Sequence, residues 1–145
     1  PAKTLISIHI PLKCSFMKTH NMIIGSAALF GGLSVAIGAF AAHGLKQVLD
    51  AKALGWLATG AQYQMNHALV LLIIGFAVKQ WPHWRGLKAA AMSFSMGILL
   101  FSGSLYLMAA TQIKALGIIT PIGGMGFLIG WSCLAYAALK PKIND

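Results

Sequence analysis

The stretch THNMIIGSAALFGGLSVAIGAFAAHGL, Thr19 to Leu45, runs for 27 residues without an Asp, Glu, Lys or Arg. At about 1.5 Å per residue, a helix of that length crosses the roughly 30 Å hydrocarbon core of a bilayer with turns to spare. Its apolar part, Met22 to Ala42, is longer than a signal-peptide core of roughly 7 to 15 residues, so Ala39-Phe40-Ala41 is read as part of a retained helix and not as a cleavage site. Three further windows without charge follow: Ala53 to Val78 (26 residues), Ala89 to Ile113 (25) and Ala115 to Leu139 (25). Only 9% of the 145 residues are charged and 58% are hydrophobic. The mean hydropathy is +0.76. Soluble domains carry about 25% charged residues, so the composition predicts an all-α integral membrane protein, a four-helix bundle.

The net charge of +9 raises the question of nucleic acid. The basic residues sit in tails and loops, not on one face or among interleaved aromatics, and no nucleic-acid partner is expected. Their distribution predicts orientation instead. Lys3, Lys13, Lys18, Lys79, Arg85, Lys88, Lys140 and Lys142 fall on one side of the membrane, and Lys46, Lys52 and Lys114 on the other. The positive-inside bias then puts both termini in the cytoplasm, N-in/C-in. The expected organisation is a cytoplasmic tail over 1–21, a helical domain over 22–139 and a cytoplasmic tail over 140–145 in a multi-pass bacterial plasma-membrane protein. Residues 1–16 are expected to precede a natural start at Met17 or Met22. Cys14 and Cys133 fall on or toward the cytoplasmic side, where thiols stay reduced, so no disulfide is expected.

On the first helix, Ala27, Gly31, Ser34, Gly38 and Ala42 form a small-residue face suited to close helix contact. His43 ends that helix. Beyond it, Leu45, Val48 and Leu49 predict a short amphipathic piece at the interface, and Asp50 is placed to cap the second helix. The outer half of the second helix carries Thr59, Gln62, Tyr63, Gln64, Asn66 and His67. Amides facing lipid would be unpaired, so this arc is expected to turn inward, with Ala61, Met65 and Leu72 on the opposite side. Trp81 and Trp84 are expected interfacial anchors.

The third helix shows two polar or small stripes. Ser95, Ser102 and Tyr106 are expected to face a neighbour within the chain, and Ser93, Gly97 and Ser104 a second subunit. The fourth helix, expected from near Leu116, contains Thr120-Pro121-Ile122-Gly123-Gly124, where Pro121 removes a backbone donor and leaves the Gly117 carbonyl without its usual helical partner. Gly126, Gly130, Cys133 and Ala137 make a further close-packing face.

With the N-terminus inside, the polar stretches of the four helices meet at one depth. His43, Gln62, Tyr63, Gln64, Asn66, His67, Ser102, Ser104, Tyr106 and Thr120 are therefore the candidate lining of a polar pocket open to the extracytoplasmic face. A mainly structural network explains these residues most simply, because Ser, Thr, Asn and Tyr commonly join membrane helices. A small-molecule or ion site using His67 is the second reading. No metal site is expected, since only two histidines converge and no carboxylate or cysteine joins them. A haem between His43 and His67, or a bound quinone, is the third. Proton-coupled transport would rest on His67 nearly alone, and Ser102 and Ser104 lack the base and orienter of a hydrolase.

GAFAAHGLK (Gly38 to Lys46), YQMNHAL (Tyr63 to Leu69), FSGSLYL (Phe101 to Leu107) and TPIGG (Thr120 to Gly124), followed by Gly130-Trp131, occur in this order. The chain thereby resembles domain-of-unknown-function family 423, the YgdD/YwdK-like small bacterial inner-membrane proteins, from about Met22 to Leu139. The resemblance implies a four-helix plasma-membrane protein without an established reaction. The family's motif residues map onto Gly38, His43, Gly44, Tyr63, Gln64, His67, Ser102, Gly103, Ser104, Tyr106, Thr120, Pro121, Gly123 and Gly124. The family pattern has Gly where this chain has Ala41, and often Glu and Arg where it has Ala58 and Gln62. The combined expectation is a non-enzymatic accessory or self-associating protein without a cofactor, whose partners are the lipid bilayer and a homo-oligomer or membrane complex. The alternative is a small carrier or channel.

Overall fold

The computed structural model describes residues 19–139. Cys14, Lys3, Lys13, Lys18, Lys140 and Lys142, with most of the expected N-terminal tail and all of the C-terminal one, lie outside the described residues. The helices are α1 (Thr19–His43), α2 (Ala51–Gln80), α3 (Leu87–Thr111) and α4 (Ile119–Leu139), with a 3-10 turn at Lys114–Ile118. The shortest, α4, has 21 residues and at 1.5 Å each reaches about 31 Å, enough to span a bilayer. All four have the length and apolarity of membrane spans.

Local sequence explains the ends. Asp50 caps α2, its carboxylate accepting from the Ala53 N–H at 2.7 Å, as its position predicted. Helix α2 stops at Gln80, two residues before Pro82. Gly86 opens α3 with φ at +95°, and a Cβ there would lie 3.0 Å from the Cys133 carbonyl oxygen of α4, so glycine answers both the conformation and the close approach. Trp84 fastens the same turn to α4 by donating its indole N–H to the Ala137 carbonyl at 2.6 Å. Contrary to expectation, Pro121 removes no intrahelical bond from α4. The helix starts at Ile119, later than near Leu116, so Pro121 stands in its first turn, where no intrahelical donor is needed. The segment after His43 folds as turns, with Leu45 and Leu49 packed inward but Val48 76% exposed, and not as an amphipathic helix.

The helices pack in chain order, α1 on α2, α2 on α3 and α3 on α4. The two central helices each bury eleven residues, whereas α1 buries three and α4 four. One apolar cluster joins Leu71, Ile74 and Val78 of α2 to Leu87, Phe94 and Ile98 of α3 and Phe127 of α4. A second, toward the other membrane face, joins Ala41, Ala53, Leu57 and Ala109. The buried polar side chains Ser34, Gln64, Ser102 and Ser104 fall between the two clusters along their helices.

Three expectations about helix faces are corrected. On α1, Ala27, Ser34 and Ala41 turn inward, and a Cβ on Gly31 or Gly38 would meet nothing within 4 Å, so those glycines lie at no close contact within the described residues. On α2, Ala61 faces inward while Gln62 and Asn66 face outward. The small residues Gly60, Ala61, Ala68 and Gly75 set the buried face because they let α1 and α3 approach. On α3, the stripe expected to meet a second subunit meets α4 instead. A Cβ on Gly97 would lie 2.6 Å from Phe127, and one on Gly126 would lie 3.1 Å from the Gly97 Cα.

Overpacking at this contact is expected to cost about 1–3 kcal/mol. Gly130→Val, whose Cβ falls 2.7 Å from the Phe94 ring, should lower the thermal midpoint of detergent-solubilised protein, while Gly31→Val, in open space, should leave it within a degree or so. Equal shifts for the two variants would contradict the α3–α4 packing.

Candidate functional site

Gln64 stands at the centre of the polar layer because α2 lies between α1 and α3. Its amide N–H donates to the Phe30 carbonyl of α1 at 2.7 Å, and its amide oxygen accepts from the Tyr106 hydroxyl of α3 at 3.0 Å. One side chain thus joins three helices. The Tyr106 ring reaches Gln64 over Gly60, where a Cβ would lie 2.6 Å from the ring. Ser34 of α1 donates to the Ala61 carbonyl at 2.7 Å, and Ser102 of α3 donates to the Gly60 carbonyl at 2.8 Å. Ser104 and Thr120 share a 2.7 Å bond between α3 and α4. Every successive pair of helices is therefore joined by hydrogen bonds, each of which gives about 0.6 kcal/mol on average in membranes. Among the described residues no fully buried side-chain nitrogen or oxygen lacks a partner.

His67 is differently placed. It is 7% exposed, and its ring stacks on Phe127 at a centroid distance of 3.7 Å with the planes 5° apart. Phe94 and Trp131 complete the surround, at 5.4 and 6.3 Å. Nδ1 lies 2.8 Å from the Tyr63 carbonyl one turn earlier. Since a carbonyl only accepts, Nδ1 carries the hydrogen.

The ten residues expected to line one polar pocket do not surround one cavity. His43 is exposed at the end of α1, and Gln62 and Asn66 point away from the bundle. Gln64, Ser102, Ser104 and Thr120 use their polar atoms in the bonds between helices. Tyr106 borders an apolar groove of about 400 Å³ with Ile37, Phe40, Leu45 and Leu57. Tyr63 and His67 border another, of about 470 Å³, with Phe101, Pro121, Gly124, Met125, Phe127, Leu128 and Trp131. The polar side chains pull the helices together, so the space left between helices is walled by rings and aliphatic carbons.

Among the described residues no three His, Cys, Asp or Glu side chains group in a way that could hold a metal ion. His43 and His67 do not share a groove, so the two facing imidazoles of a bis-histidine haem are not assembled. Sequence reasoning missed Ser34 as a bonding group and missed the Phe94, Phe127 and Trp131 surround. The signal for the second was present: Phe127 and Trp131 are four residues apart on one face of α4, beside glycines that admit rings.

A family model described as "Protein of unknown function (DUF423)" matches residues 37–124, from the last turns of α1 to the first of α4. The chain is 47% identical to a UPF0382 membrane protein of Haemophilus influenzae over 125 residues, which are 84% of this chain and 97% of the relative. It is 34% identical to the UPF0382 inner membrane protein YgdD of Escherichia coli K12, covering 86% and 94% of the two chains. The UPF0382 membrane protein YwdK of Bacillus subtilis is 44% identical, with 74% and 88% covered. No solved structure matches.

Tyr106→Phe removes one end of the three-helix connection and is expected to cost about 0.6 kcal/mol. Gln64→Leu removes both bonds and leaves the Tyr106 hydroxyl without its partner, so it should cost more. A double-mutant cycle by unfolding in bicelles should give a Tyr106–Gln64 coupling well above its error; a coupling of zero would remove the hydrogen bond from the account.

Proposed function

The chain belongs to the DUF423 family of membrane proteins, and from that premise we propose that it is a non-enzymatic, self-associating component of the bacterial plasma membrane. The observation that carries this reading is the placement of Gln62 and Asn66. Both are exposed on α2, and neither side-chain amide makes a hydrogen bond among the described residues. Asn66 lies fourteen residues after Lys52 and thirteen before Lys79, so at 1.5 Å per residue it is about 20 Å from either charge. It is at the middle of the bilayer, where an unpaired amide costs several kcal/mol.

A second copy of the chain satisfies that demand. An amide both donates and accepts, so it is complementary to itself. Two copies inserted in the same direction are related by an axis along the membrane normal, and equivalent residues of their α2 helices meet at equal depth. Gly55, Ala58 and Thr59 continue the same outward face, and Gly55 has open space around it, so the helices can approach closely. The lacing inside the bundle supports the non-enzymatic part, because Ser34, Ser102, Ser104 and Thr120 are held in bonds between helices and bond to no base among the described residues. Both termini are proposed to be cytoplasmic, which places the Trp81–Trp84 pair and its neighbouring basic residues at the inner face.

Single-cysteine variants in a background with Cys14 and Cys133 replaced by serine test the reading. Under oxidation in native vesicles, Ile73→Cys, on the amide face, should form disulfide dimers, and Met92→Cys, exposed on α3, should not. Adding Gln62→Leu and Asn66→Leu to Ile73→Cys should weaken dimerisation roughly tenfold. Val48→Cys should react with an impermeant maleimide applied outside intact spheroplasts. Equal cross-linking at positions 73 and 92 would defeat the α2 interface, and protection of position 48 would reverse the orientation.

A further inference from the structure

We propose that the groove beside His67 binds a lipid-soluble hydroxylated ring with an apolar tail, a phenol or hydroquinone, whose hydroxyl donates to His67 Nε2. The site is separate from the outward amide face of α2 and does not depend on the pairing of two copies.

Hydrogen bonding identifies the polar end of the ligand. His67 is more than nine-tenths buried, and its Nδ1–H is spent on the Tyr63 carbonyl. In the neutral ring, Nε2 then presents a lone pair. Nε2 has no partner among the described residues, yet no fully buried side-chain nitrogen is left unpaired. It is therefore reached from the space that His67 lines, which is the groove. A group that pairs with Nε2 must bring a donor, which a hydroxyl does and a quinone carbonyl, which only accepts, does not.

The walls identify the rest. Tyr63, Phe101 and Trp131 line the groove with the imidazole, and Phe127 backs it at 3.7 Å, an arrangement that receives a flat ring by offset or edge contact. The volume of about 470 Å³ is in the range of small-molecule sites. Met125 and Leu128, 56% and 61% exposed, form the lip. His67 lies fifteen residues after Lys52 and twelve before Lys79, about 22 and 18 Å from the two ends, so the groove opens sideways into hydrocarbon. Its ligand arrives from the bilayer, and an alkyl tail leaves over the lip without desolvation.

The test uses the full chain in phosphatidylcholine nanodiscs, with empty nanodiscs as the blank, and radiolabelled 4-decylphenol and 4-decylanisole as probes. These differ only in the hydroxyl hydrogen, replaced by methyl in the anisole. Decylphenol should bind saturably and decylanisole at least tenfold more weakly. Decylhydroquinone should follow the phenol, and decylbenzoquinone the anisole. His67→Phe keeps a ring on Phe127 and should make phenol and anisole bind alike. Gly124→Leu should fill the groove and abolish saturable binding of every probe; its Cβ has room, the nearest atom being Phe101 Cδ2 at 3.9 Å, so the fold is kept. The proposal is overturned by equal affinity of wild type for phenol and anisole, by discrimination that survives His67→Phe, or by uptake no greater than that of empty nanodiscs.

Discussion

Hydrocarbon offers no hydrogen bonds, and this governs where each polar side chain of the protein ends up. Gln64 shows the constraint most clearly. An amide in the middle helix of three would be costly if unpaired, yet its two ends reach a carbonyl on α1 and a hydroxyl on α3 and so turn the cost into a connection. Ser34, Ser102, Ser104 and Thr120 extend the same solution to each successive pair of helices. Each bond is weak by itself. Together they select one register, because sliding any helix by a turn would leave several groups unpaired at once.

Packing and polarity divide the work between them. The glycines at the α3–α4 contact, Gly97, Gly123, Gly126 and Gly130, let rings and backbone approach, and the Phe94 and Phe127 side chains fill the space so made. Because the helices pack in chain order, the outer helices remain largely open to lipid and grooves remain beside the central pair. One of those grooves is lined by His67, whose Nε2 has no partner among the described residues. The proposed ligand site and the proposed self-association thus share an origin: polar groups at bilayer depth that the fold itself does not satisfy.

Much of the fold was legible in the sequence, and much of the site was not. Charge-free windows locate membrane helices well because a charge in hydrocarbon is so costly, and Asp50 marked a helix start through ordinary capping chemistry. The rotation of α2 differs from expectation because polarity does not mark its inward face. In a membrane protein the inward face is marked by size instead, and Gly60, Ala61, Ala68 and Gly75 were the better guide. Periodicity places Gln62 and Gln64 equally well; only the positions of α1 and α3 decide which of them finds a partner. For Pro121 the sequence predicts an unpaired Gly117 carbonyl inside the helix, since a window without charge cannot reveal that the residues before α4 form a 3-10 turn.

In the proposed self-association, outward polar groups at mid-membrane are satisfied by a second copy. The side-chain carbonyl stretch of Asn66, isotopically labelled in otherwise unlabelled protein, reports this directly in bilayers of decreasing protein-to-lipid ratio. The account predicts a hydrogen-bonded frequency at high protein density that shifts to that of a free amide on dilution. A frequency unchanged across the dilution series would contradict it.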